Sequence, residues 1–544
     1  VSVRAVAFVV VLVVASLSGA AMAADDESVE AQPDGPHIEA VYPNPLADDD
    51  AGEYVLLDVP RETNLTGWTL GDGETTITLP NTTVEGQVVL TDDPNATNLS
   101  GPAQVLNGSV SLANGGEELV LADGGEVVDE TVYEDAPDAE VWNRTANGWA
   151  WQHRGATDFR AVRSDATSAR AFVLPDAPGM PIDVLDSAQE RILLSGYSFA
   201  SERAARALQR AAERGVEVRV LVDDAPVGGI SDRQGELLDD LARAGIPVEV
   251  IGGDWARYDF HHPKYAVVDD RALVMTENWK PSGIGGKSSR GWGAVVEGEV
   301  ADRLAEIFRA DADWRDTASW STFRANRTFE EDEVANESYP TTFESQNVSI
   351  ESAQLLAAPD NAEGALVERL DGADDSIDVV QASIGSQRQP FLRAAVRAAE
   401  RGVEVRILLG GAWYSEEDNG ELAEWLNEKS SDENLSLEAK VAASGSRFEK
   451  IHAKGVIIDG EEVVVGSMNW NNNSARENRE IALVLDGEEA GTYYSRVFDA
   501  DWTDEESERG LDTGIETPLP VGVIAAVVGV TVLAAVVARR IEFE

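Results

Sequence analysis

The chain contains no cysteine in 544 residues, so it has neither a disulfide framework nor a thiolate metal site. Histidine is almost as scarce, with five in all. Basic residues are outnumbered, 43 Lys and Arg against 99 Asp and Glu, for a formal charge of −56. No basic stripe interrupts that background, and a surface of this sign disfavours a long polyanion. Molar salt would weaken this exclusion by screening. Disorder is excluded too, because 43% of the residues are hydrophobic. A plain soluble acidic protein explains the sign of the charge but not its size. The composition fits a halophile's protein, whose self-repulsion salt relieves. At this length three or four domains can each bury a core.

Long apolar runs are confined to the two ends. Residues 1–24 read as a signal peptide, with Arg4, an apolar core from Val6 to Leu17 and a small-residue cleavage site at Ala21-Met22-Ala23. Residues 521–538 carry no charge and would span about 27 Å as a helix, enough for a transmembrane segment. Arg539-Arg540 follow, which places a short tail, 539–544, in the cytoplasm. The expected localisation is the cell membrane, single-pass, with the body extracellular. Eleven Asn-x-Ser/Thr sequons, from Asn64 to Asn472, agree with an exported glycoprotein, although sequons also arise by chance.

Residues 25–35 form an acidic lead-in. From 36 to 136, short β-branched runs such as Tyr54-Val55-Leu56-Leu57 alternate with Gly, Asn and Asp, which predicts an all-β sandwich. The segments from His37 to Pro45, Leu65-Thr66-Gly67-Trp68 and Leu112-Ala113-Asn114-Gly115-Gly116-Glu117 resemble a lamin-tail domain. That resemblance implies an immunoglobulin-like sandwich without catalytic residues, with Tyr42 and Trp68 as core anchors. A connector, 137–180, carries Trp142, Trp149 and Trp151, expected to pack this domain against the next.

Two α/β lobes follow, at 181–313 and 351–502. An octapeptide, Ala-Glu-Arg-Gly-Val-Glu-Val-Arg, stands at 212–219 and again at 399–406, at the end of an Ala-rich helix and the start of a strand. This internal duplication predicts two pseudo-symmetric lobes. Residues 314–350 read as an exposed linker and 503–520 as a spacer before the membrane.

Each lobe ends in one motif. His452-Ala453-Lys454, Asp459, then Ser467, Asn469 and Trp470 form the clearer copy; His262-Pro263-Lys264, Asp269, then Thr276, Asn278 and Trp279 form the weaker. One His-x-Lys means little, and a buried structural histidine beside a surface lysine explains it as well. Two copies with the same trailing residues are a different matter. The pattern resembles the HKD motif of the phospholipase D superfamily. Chemically, two lysines, two amides and a hydroxyl can hold an anionic phosphodiester and stabilise the charge of its transition state. One neutral imidazole can attack phosphorus while a protonated one serves the leaving oxygen. That scheme requires no cofactor and no metal.

The resemblance implies that His262 and His452 are nucleophile and general acid, in either order. It implies that Lys264, Lys454, Asn278 and Asn469 hold phosphate beside Thr276 and Ser467. Asp269 and Asp459 belong to the motif, as hairpin supports rather than proton carriers. Glu480 matches the acid that orients the imidazole of its own half. The first half departs from the pattern: its hairpin is one residue shorter, Met275 replaces the counterpart of Gly466, and Gly291 replaces that of Glu480. The lost carboxylate predicts a less fixed His262 tautomer and an asymmetric or slow site. The expected function is a phospholipase D-like phosphodiesterase, hydrolase or transferase, with phospholipid favoured because of the anchor. An extracellular nuclease is one alternative, and a catalytically decayed adhesion or scaffold protein another.

Overall fold

The computed structural model describes residues 35–509 except 46–51, 74, 93–103, 109–110, 138–139, 146–147, 158, 254–255, 315, 326, 330, 332–334 and 443–444. The leader at 1–24, most of the acidic lead-in, the span at 521–538 and the tail lie outside the described residues. Among the described residues, no helix is long and apolar enough to cross a membrane.

The N-terminal region is two β-sheets sharing one core. The larger runs in the order Gly148–His153, Glu140–Thr145, His37–Tyr42, Tyr54–Asn64, Thr83–Thr91, Gln104–Asn107. The smaller runs Thr76–Thr78, Trp68–Gly71, Gly116–Asp123, Glu126–Glu134. Period two sorts the side chains: Val55, Leu57 and Val59 enter the core with Leu70, Leu119 and Leu121, while Asp58 faces outward. Each such aliphatic side chain contributes about 1.5–3 kcal/mol by leaving water. Trp142, Trp149 and Trp151 differ from expectation. They lie on two strands that extend the larger sheet, and they pack on this domain's own core.

Each lobe is a mixed sheet with the same centre. In the first, Arg191–Gly196 pairs in parallel with Glu217–Asp223 and antiparallel with Lys264–Val268. In the second, Ser376–Gln381 does the same with Glu404–Leu409 and Lys454–Ile458. The crossover helices, Glu202–Glu213 and Pro390–Arg401, bury their Ala and Leu stripes on these sheets. Both stop at a glycine of positive φ, Gly215 and Gly402, which a β-carbon would strain. A further helix of the second lobe spans Glu416–Glu433. Its acidic first turn suits the positive end of the helix dipole, and Asn434 ends it in the left-handed region.

The connector and linker are less passive than expected. Val162–Ser164 joins the second lobe's sheet and Ser168–Leu174 the first lobe's. Gln346–Ser349, from the supposed linker, adds a strand beside Ser168–Leu174, and Thr317–Ser319 adds one beside Val248–Ile251. Trp320 is buried there and stacks on Phe329. The final helix, Glu488–Arg509, runs on past residue 502.

Candidate active site

Both motifs enter their lobes the same way. His262 and His452 each stand two residues before the innermost hairpin strand, and the lysine opens that strand, fully flanked by its neighbours. The site therefore sits beyond the carboxyl ends of the parallel strands, where open α/β sheets leave a crevice. Lys264 Nζ donates to the carbonyl of His262, and Lys454 Nζ to that of His452 at 2.8 Å. Burial lowers the pKa of both ammoniums, that of Lys454 to about 8 and that of Lys264 well below the ordinary lysine range.

The aspartates lie at the opposite end of these strands. Asp269 and Asp459 occupy the hairpin turns at φ 56° and 53°. Each carboxylate accepts from consecutive backbone N–H groups, of residues 189–191 and 374–376 respectively. A five-residue strand, about 16 Å, separates them from the lysines. They brace the hairpins and do not reach the imidazoles. Thr276 and Ser467 are tied to backbone: their hydroxyls accept from Trp292 N–H and Ile481 N–H, both at 3.0 Å. Asn278 and Asn469 are buried beside them, and Asn278 Oδ1 accepts no hydrogen bond.

The two lobes meet through their histidine segments. His262 N–H donates to the Arg479 carbonyl and His452 N–H to the Arg290 carbonyl, both at 3.0 Å. The residue after each arginine, Glu480 or Gly291, therefore faces the histidine of the other lobe. Glu480 accepts from His262 Nδ1 at 2.8 Å, with Ser474 Oγ and Asn478 Nδ2 as further donors at 2.7 and 3.2 Å. This corrects the sequence expectation on two points. Glu480 serves the opposite half rather than its own, and His262 keeps its carboxylate. The position emptied by Gly291 faces His452 instead.

That position is filled by another carboxyl group. Glu277, between Thr276 and Asn278, places Oε2 3.3 Å from His452 Nδ1. The Met275 departure is balanced in a similar manner, since Met275 faces Gly293 where Gly466 faces Ala482.

Burial lowers the His262 pKa to about 4, against the opposing pull of Glu480, and lowers that of His452 well below the ordinary value. Lys454, Lys264, Lys450 and Lys280 press further on His452. Burial also raises Glu277 to about 7 despite these lysines. For Glu480 burial is outweighed by His262 and the hydrogen bonds, so it stays a carboxylate.

Buried arginines fix the geometry. Arg290 pairs with Asp176 and Asp501, and Arg479 with Asp311 and Asp360, all with almost no exposure. Their guanidiniums also donate to the carbonyls of Leu174 and Ala358. Sequence reasoning missed Glu277 and both clusters. Two signals pointed there. Leu174-Pro175-Asp176 and Ala358-Pro359-Asp360 repeat, and the whole chain has only seven lysines, four of which act on this site.

A family model described as "Cardiolipin synthase, PLD-like domain" matches residues 182–314 and again 366–502. The chain carries two PLD-like domains. Cardiolipin synthase A of Yersinia pseudotuberculosis is 31% identical over 111 residues, 20% of this chain and 21% of that protein. The chain thus matches about a fifth of the length of its curated relative. Phosphatidylserine synthase of Haemophilus influenzae is similar in structure with a TM-score of 0.45 at 15% identity, over 64% of this chain and 87% of that one. Nuc of Salmonella typhimurium, a phospholipase D family member, has a TM-score of 0.25 at 20% identity, over 29% and 98%. By the match of both lobes to the PLD-like family model, these domains are phosphodiesterase-like, one motif in each.

Proposed function

We propose that the two PLD-like domains form one active site that cleaves or transfers phosphodiesters through a phosphohistidine, with phospholipid headgroups as substrate. The observation that carries this reading is the crossed pair: each imidazole Nδ1 faces a buried carboxylate, with a buried lysine beside each histidine. A carboxylate on Nδ1 holds the proton there and leaves Nε2 free to act on substrate.

The carboxylates differ, and that difference supports an order. Glu480 is held ionised by three donors, which suits a neutral, nucleophilic His262. Glu277 has an Oε1 that accepts nothing and a raised pKa, so the Glu277–His452 pair retains a proton to give. His262 Nε2 attacks phosphorus and the bond to the leaving oxygen breaks, His452 supplying that oxygen's proton. Water or an alcohol then attacks phosphorus, returns its proton to His452 and releases His262. The lysines and Asn278 neutralise the equatorial oxygens throughout.

Similarity to a cardiolipin synthase-type domain favours lipid over nucleic acid, as does the acidic surface. We further take the body to be extracellular, salt-adapted and anchored at its C-terminus, with a lamin-tail-like sandwich in a non-catalytic role. The test is turnover of labelled phospholipid vesicles and of DNA by the full chain in molar salt, with acid-quench trapping of phosphohistidine. The expected result is lipid turnover with label on His262, absent in His262→Ala. Cleavage of DNA alone would replace the lipid reading with the nuclease one, and no turnover of either would overturn both.

A further inference from the structure

Gly291 and Glu277 compete for one volume. A β-carbon built on Gly291 would lie 2.2 Å from Glu277 Cγ and 2.5 Å from its Oε1. No side chain can occupy position 291 while the Glu277 carboxylate stays where it is. The second lobe has the reverse arrangement: Glu480 fills the strand position, and the hairpin position matching Glu277 holds Met468, an apolar core residue. The molecule thus contains two solutions to one task, a carboxylate delivered from the strand or from the hairpin.

We infer that Glu277 is the positioning carboxylate of His452, moved from strand to hairpin, and that Gly291 is glycine to admit it. The inference deepens the two-histidine reading above and rests on it. Three further observations agree. Glu277 is buried, and a buried carboxyl needs a partner. His452 Nδ1 accepts or donates no aligned hydrogen bond, and Glu277 Oε2 at 3.3 Å is the acid within ion-pair reach of it. Catalytic hydrogen bonds that are long in a free enzyme tighten when substrate is bound. Gly283 also makes room, since a β-carbon there would lie 2.8 Å from Glu277 Oε2. As a positioning residue, Glu277 acts through His452 and need not touch substrate.

The test moves the carboxylate back. Glu277→Gln and Glu277→Met are compared with the double variant Glu277→Met/Gly291→Glu, which copies the Met468/Glu480 arrangement. Two readouts are taken on the full chain in molar salt. The first is kcat on a phosphodiester whose leaving group needs a proton, against bis(p-nitrophenyl) phosphate, whose leaving group does not. The second is the ¹⁵N shift of the His452 ring nitrogens, which reports its tautomer without any turnover. The single variants should lose about 10²- to 10⁴-fold in kcat on the first substrate and far less on the second. Their His452 shifts should move while those of His262 stay, and the double variant should restore both readouts. Unchanged His452 shifts in Glu277→Gln would overturn the inference, as would wild-type kcat in both single variants. If the parent chain turns over nothing, the enzymatic reading fails, and the ring shifts alone still decide whether Glu277 positions His452.

Discussion

Replacing Arg479 with methionine should destabilise the lobes by about 3–5 kcal/mol, two to more than three orders of magnitude in the folding equilibrium. The guanidinium has no exposure. Its Nη1 lies 2.6 Å from Asp360 and its Nη2 2.9 Å from Asp311, and it also donates to Thr157 and to the Ala358 carbonyl. Removing it strands two carboxylates that are equally inaccessible to water. That stranding, rather than the lost attraction, dominates the cost. Arg479→Met/Asp311→Asn/Asp360→Asn should therefore recover most of the stability, since no unpaired charge remains. The exposed pair Arg206–Glu202, at 2.8 Å with side chains 67% and 46% exposed, sets the contrast: Arg206→Ala should cost no more than about 0.5 kcal/mol. Urea unfolding followed by circular dichroism, at fixed and then varied salt, measures all three. The buried cost should hardly change with salt, because buried pairs are little screened. A loss below about 1 kcal/mol for Arg479→Met, or one that fades as salt rises, would refute the argument.

Folding and activity should both need salt, because 99 acids against 43 bases leave strong self-repulsion in dilute buffer; a salt titration with equal ellipticity and rate throughout would contradict this. Turnover should survive chelator, since the proposed steps use only imidazoles, lysines and amides; complete loss in EDTA with the fold intact, reversed by one divalent ion, would disprove it. The pH profile of kcat/KM should rise through about pH 4, as His262 loses the proton that blocks attack, and fall through about pH 7, as the Glu277–His452 pair loses the proton it must donate. Glu277→Gln should remove or displace only the alkaline limb, and a profile with the same alkaline limb in that variant would count against the assignment.

The lobes were legible in the sequence because their signals are local. The octapeptide repeat reads as helix end, glycine stop and strand start, and each of those depends on near neighbours. The motif histidines and lysines were legible because their spacing is set by one hairpin. What failed to show was which side chains pair across the lobes. Glu480 was expected to serve its own half because the resemblance implied it, whereas the hydrogen bonds from His262 N–H to the Arg479 carbonyl and from His262 Nδ1 to Glu480 fix the opposite pairing. Glu277 was invisible as a partner because its position in the second half is Met468, so alignment of the halves gives it no counterpart. The connector and linker strands were hidden for another reason. Edge strands such as Val162–Ser164 and Gln346–Ser349 are short and half polar, so their pairing comes from the sheet beside them rather than from their own pattern.

The crossed arrangement also explains why the clamps and the chemistry are hard to separate. Arg479 anchors to its aspartates by side chain while its own carbonyl receives His262 N–H, and Glu480 follows directly in the chain. Arg290 does the same for His452, one residue before the glycine that admits Glu277. Each histidine is therefore held by backbone to the other lobe; the His262 ring is held there as well, by Glu480, and the His452 ring has Glu277 within 3.3 Å. A shift of one lobe relative to the other displaces both imidazoles from their carboxylates together. Reactions of this type tolerate little such displacement, because an angstrom of misplacement can cost about 10²-fold in rate. Substrate binding between the lobes can thus tighten or loosen both ring contacts at once. This gives a physical reason for the 3.3 Å separation at His452 to close on a bound phosphate: its negative charge stabilises a protonated His452, and that cation then draws the Glu277 carboxylate in.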